Sequence, residues 1–130
     1  MVGKATLAGI PREDVPLYWA AAAEHLQRVP EFSTVYHFRK CAEGHAQLYL
    51  MERGEECIAA ALTCVSFEPE PLVLITHAAG RDVDDWAEMF AGEMKAMADS
   101  LNAKLRIIGR KGWARKLRGF RQVAVVLEAD

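Results

Sequence analysis

Cysteine is scarce in this chain and unpatterned. Cys41, Cys57 and Cys64 form an odd set with no CxxC spacing. That excludes a disulfide framework and a thiolate metal knuckle, and it fits reduced, buried thiols in a cytosolic protein. His25, His37, His45 and His77 stand at no metal-ligand spacing, and no Ser-His-Asp or Cys-His constellation is readable. No stretch approaches the ~20 apolar residues of a membrane span, and the opening "MVGKATLAGIPRED" has no signal-peptide core. Repeats, low-complexity tracts and linkers are absent too, so 130 residues read as one domain over 1–130, long enough to bury a core without staples. The reading is of a cytoplasmic protein with no membrane association.

The chain is 52% hydrophobic and 26% charged with a formal net charge of -2, the profile of a globular protein. Its period changes along the sequence. A short strand near residues 6–8 precedes "PREDVPLYWAAAAEHLQRV", which opens on Pro and acids as helices do and carries Leu17, Ala21 and Leu26 towards one side. Ser33 is placed to cap a second helix through Cys41, with Val35, Phe38 and Cys41 on one face and Gly44 as its stop. "HAQLYLMER", a "GEE" turn and "CIAAALTCVSF" predict a β-hairpin. "LVLITHA", after Pro69 and Pro71, predicts a central strand covered on both faces. Trp86, Phe90, Met94, Met97 and Leu101 recur at helical spacing in "DVDDWAEMFAGEMKAMADSLN", with Asp82 as N-cap, Asp84 and Asp85 as first-turn acids, and Trp86 buried. "KLRIIGR" then reads as a strand, "KGWARKLR" as a short helix anchored by a buried Trp113, and "RQVAVVLEA" as a last strand.

The expected fold is therefore α/β, a mixed sheet with helices on both faces and a helical N-terminal third. This order, and the ending "LRIIGRKGWARKLRGFRQVAVVLE" in particular, resembles the GNAT fold of the acyl-CoA N-acyltransferase superfamily. The GR-x-GW-x-R-x-L segment, with Gln47 and Leu48 in the hairpin, is similar to small GNAT-like proteins encoded by tailed phages and prophages. The resemblance implies that CoA, where it binds, lies against the loop after the central strand, with His77, Gly80 and Arg81 as cofactor-binding residues. That loop, "HAAGRDVDDW", has one glycine and three acids where the superfamily pattern has more glycine.

The chemistry expected of a transferase is thinly represented. No Tyr follows Tyr49 to serve as general acid, Glu68 and Glu70 are better read as solvated acids around prolines, and His77 as a hydrogen-bonded strand-end histidine than as a base. Eight of the sixteen basic residues lie in positions 104–121. Arg110, Lys111, Arg115, Lys116 and Arg118 are assigned first to a protein partner, phage or host, then to phosphate or CoA; nucleic acid ranks below both. The function implied is a phage- or prophage-type GNAT-fold protein without acetyltransferase activity and without cofactor, acting as an interaction or virion-associated component. The alternative is an acetyl-CoA-dependent N-acetyltransferase modifying a host or phage protein. The two differ in whether the central strands splay to leave backbone facing a cleft.

Overall fold

The computed structural model describes residues 4–108. The expected short helix, last strand and Trp113 lie outside them. Five strands form one sheet in the order β1 (Thr6–Ile10), β2 (Gln47–Arg53), β3 (Glu56–Ser66), β4 (Leu72–Gly80) and β5 (Lys104–Ile107). Neighbours are antiparallel except β4 and β5, which run parallel across the crossover helix α3 (Ala87–Ser100). Helices α1 (Val15–Leu26) and α2 (Thr34–Ala42) fill the connection from β1 to β2.

The period-2 pattern of β2 and β3 explains their pairing. Leu48 and Leu50 point into the core with α1, whereas Met51 and Tyr49 meet the α3 side. Gly54, at φ 67°, opens the two-residue turn between Arg53 and Glu56, where a left-handed backbone matches the strand twist. One core joins Met51, Ala59, Ala61 and Ile75 to Trp86, Phe90 and Met94 of the α3 side. The other joins Leu48, Leu50 and Leu62 to Trp19, Ala22 and Leu26. Helices thus cover both faces, as expected.

Two local readings change. In α1 the buried stripe is Val15, Trp19, Ala22 and Leu26, and Leu17 is 77% exposed. Trp19 brings far more apolar area than Leu17, and burying it rotates Leu17 outward. In α2, Ser33 does cap, its Oγ accepting from Tyr36 N–H at 3.2 Å, but Val35 is exposed while Phe38 and Cys41 turn inward. Trp86 is fully buried and its Nε1–H donates to the Arg81 carbonyl at 2.9 Å. Among the described residues, no helix is long and apolar enough to cross a membrane.

Candidate functional site

The sheet is irregular at one point that matters chemically. Leu62 pairs with His77 and Thr63 with Ile75, so Thr76 is an extra residue in β4, a β-bulge. The ladder to β5 covers Leu72–Ile75 and ends with Ile108 N–H on the Ile75 carbonyl at 2.9 Å. Among the described residues, β4 beyond Ile75 is therefore paired with β3 alone.

The bulge orients His77. Thr76 Oγ1 donates to the Leu62 carbonyl at 3.2 Å, which uses the hydroxyl's single proton. Its 2.8 Å contact with His77 Nδ1 then requires Nδ1–H as donor, which leaves the lone pair on Nε2. The ring lies on the α1 and α2 side of the sheet, 5.9 Å from Phe32 and 4.5 Å from His37 between centroids. His37 is held by Ser33 N–H, which donates to its Nδ1 at 3.0 Å, and stacks on Phe32 at 5.0 Å. Burial, and then the neighbouring His37, push the His77 pKa down to about 4. At neutral pH, His77 is an uncharged hydrogen-bond acceptor beside an aromatic wall.

The other end of β4 is built differently. A Cβ on Gly80 would lie 2.3 Å from Ala59 Cβ and 2.4 Å from the Ile58 carbonyl oxygen, so this glycine lets β4 approach β3. Arg81 N–H continues the contact by donating to the Ile58 carbonyl at 2.9 Å, and its guanidinium pairs with Glu56. Asp82 does not act as a side-chain cap. It sits at φ 51°, ahead of a 3₁₀ turn over Val83–Asp85, and accepts from Arg53 Nη2 at 2.8 Å while Asp85 takes Arg53 Nη1. The cause is tertiary: the β2–β3 turn carries Arg53 to the loop, and an ion pair replaces the local cap. Helix α3 itself starts at Ala87 with no capping side chain and with Glu88 in its first turn.

His77, Gly80 and Arg81 thus all lie on or just beyond the second half of β4, with His77 by the bulge and the other two at the loop. Arg110, Lys111, Arg115, Lys116 and Arg118 fall outside the described residues. Glu70 pairs with Lys104 at 3.2 Å, and no group of acids, histidines or cysteines among the described residues is arranged to hold a metal. Sequence reading missed Phe32, His37, Thr76 and Arg53. Only Thr76, a β-branched polar residue inside an apolar strand, carried a local signal.

No protein-family model matches the chain, and no curated protein matches it. Solved structures do. A predicted acetyltransferase from Clostridium acetobutylicum, solved with acetyl-CoA, superposes with TM-score 0.67 at 16% identity over 97% of this chain and 96% of that one. An aminoglycoside N-acetyltransferase in complex with CoA gives 0.69 at 9% identity over 100% and 95%. A ribosomal-protein-alanine N-acetyltransferase from Brucella melitensis gives 0.67 at 10% over 97% and 99%. This chain has the GNAT fold. The cofactor those structures imply can be tested against the residues present. The half of β4 beyond Ile75, paired with β3 alone among the described residues, suits the amide-bearing arm of a CoA thioester, because a strand edge offers backbone donors and acceptors to an extended chain. Among the described residues, the loop before α3 does not suit a pyrophosphate, since its glycine faces β3, its own Arg81 holds Glu56, and Arg53 of β2 beside it holds Asp82 and Asp85.

Proposed function

We propose that this chain is an N-acyltransferase that moves an acyl group, acetyl in the simplest case, from a thioester such as acetyl-CoA to an amine. The observation that carries the reading is the bulge at Thr76 in β4, which sets the His77 ring with its proton on Nδ1 and its lone pair on Nε2. Fold-level likeness to acetyltransferases supports it, and the neighbours' different acceptors leave the amine open.

In this reading the amine enters as the free base and donates an N–H to His77 Nε2, which orients its lone pair towards the thioester carbonyl. The C–N bond forms, the C–S bond breaks, and the proton lost from nitrogen ends on the departing sulfur as a thiol. A pKa near 4 means that His77 positions the amine and passes the proton on without retaining it. Phe32 and His37 pack against one side of the ring. The test is thiol release from acetyl-CoA against a panel of amines and peptide N-termini, with thermal unfolding as a binding readout. His77→Ala should lower kcat/KM about 10–100-fold, the low end for acid–base groups.

A second reading is favoured by the acid-rich loop and the lack of any Tyr after Tyr49. Here the fold is kept without transferase activity and serves as a phage- or prophage-type interaction or virion component, its partner a phage or host protein at the basic segment around Arg115. Absence of thiol release with every amine, together with no shift in unfolding at millimolar acetyl-CoA, would decide for it.

A further inference from the structure

Resting on the acyltransferase reading, we infer that the donor is recognised through its thioester arm and not through a pyrophosphate seated on the first turn of α3, so that a thioester without nucleotide serves this chain as well as its CoA counterpart. Three features of the β4–α3 loop lead there. First, a glycine that admitted phosphate would keep its open side towards the ligand, and Gly80 spends that side on Ala59 Cβ, Ala59 Cα and the Ile58 carbonyl, all within 2.5 Å of a Cβ position.

Second, both guanidiniums that the described residues bring to the loop are committed. Arg53 is spanned by Asp82 and Asp85, and Arg81 by Glu56. A pyrophosphate recruiting Arg53 would break both of its ion pairs and leave two carboxylates against the incoming anion. Third, the positive end of the α3 dipole is already met by acids, with Asp82, Asp84 and Asp85 just before the helix and Glu88 in its first turn. None of these features touches the β4 stretch from Thr76 to Ala79, where a pantetheine arm would pair with backbone.

The experiment is calorimetric titration of the full chain with acetyl-CoA, S-acetylpantetheine and adenosine 3′,5′-bisphosphate, each at low and physiological salt. The expected result is dissociation constants for the two thioesters within about threefold of each other, nearly salt-independent, with no saturable binding of the bisphosphate. Acetyl-CoA binding about 30-fold or more tighter than S-acetylpantetheine, or displacement by the bisphosphate, would overturn the inference while leaving the acyltransferase reading intact. Failure of both thioesters to bind would overturn both. A second arm uses Asp82→Asn with Asp85→Asn, its fold checked by circular dichroism. Removing the like charge should tighten acetyl-CoA about threefold or more and leave S-acetylpantetheine unchanged. Equal effects on the two ligands, or none, would show that the acids do not govern donor choice.

Discussion

Gly80→Ala is the sharpest test of the loop geometry. The added methyl would lie 2.3 Å from Ala59 Cβ, 2.5 Å from Ala59 Cα and 2.4 Å from the Ile58 carbonyl oxygen. Carbon atoms settle at about 3.5–4.0 Å, so the overlap exceeds about 1 Å, and two of the three obstacles are backbone that cannot rotate aside. Relief requires β3 and β4 to part at their ends, which also stretches the 2.9 Å bond from Arg81 N–H to the Ile58 carbonyl. Overpacking of about 1–3 kcal/mol and a lost hydrogen bond of about 0.5–1.5 kcal/mol give a destabilisation of about 2–4 kcal/mol. Urea unfolding should show a midpoint lower by about 1–2 M for a slope of roughly 2 kcal/mol per M. In an Ala59→Gly background the same substitution should cost about 1 kcal/mol less, because one obstacle is gone and the backbone ones remain. A Gly80→Ala protein within about 0.5 kcal/mol of wild type would refute the close approach, and with it the reason for denying this glycine to phosphate.

The remaining expectations concern single side chains. Trp86→Ala should cost about 3–5 kcal/mol by urea unfolding, since the ring is fully buried and its N–H leaves the Arg81 carbonyl unpaired. Ser33→Ala should cost about 0.5–2 kcal/mol through loss of the α2 cap, measured the same way. Between the ordinary 6.5 and about 4, unfolded His77 binds a proton that the folded ring refuses, so stability falls as pH drops through that window and is flat above it. Partial solvation holds the loss to about 1–2 kcal/mol, and His77→Gln should remove that part of the pH slope in unfolding curves between pH 4 and 7. Cys41, buried and with its pKa pushed up to about 11, should react with an aromatic disulfide at neutral pH only as fast as the protein opens, which timed thiol titration reads directly.

Periodicity carried the elements that bury most. Trp86, Phe90 and Met94 place α3 on the sheet, and the alternation in residues 47–51 places the β2–β3 hairpin, because each pattern agrees with the surface it must cover. It failed in α1, where Leu17 and Trp19 both sit on plausible stripes and only packing against Phe32 and Phe38 selects the tryptophan. The candidate site was legible by residue type but not by partner. His37 and His77 are forty positions apart and meet only after α2 folds over β4. The extra residue at Thr76 cannot be read from one strand, since a bulge is a property of two.

The β4–α3 loop shows why local chemistry alone misassigns such a segment. A glycine followed by acids ahead of a helix reads equally as a weak phosphate cradle or as an N-cap with favourable first-turn charges, and the two readings share every residue. In the structure Asp82 makes no side-chain cap, while Asp84 and Asp85 stand in the 3₁₀ turn ahead of the helix. Ala59 claims the space beside the glycine and Arg53 claims two of the acids, both from strands that precede the loop by more than twenty positions. A guanidinium shared between Asp82 and Asp85 holds the hairpin turn against the loop, so charge that would repel an anion also fixes the backbone the anion would need to reshape. On the proposed acyltransferase reading, donor selection and loop rigidity are one property of the same three side chains. Neutralising the acids should relax both together, whereas shortening the donor should change neither.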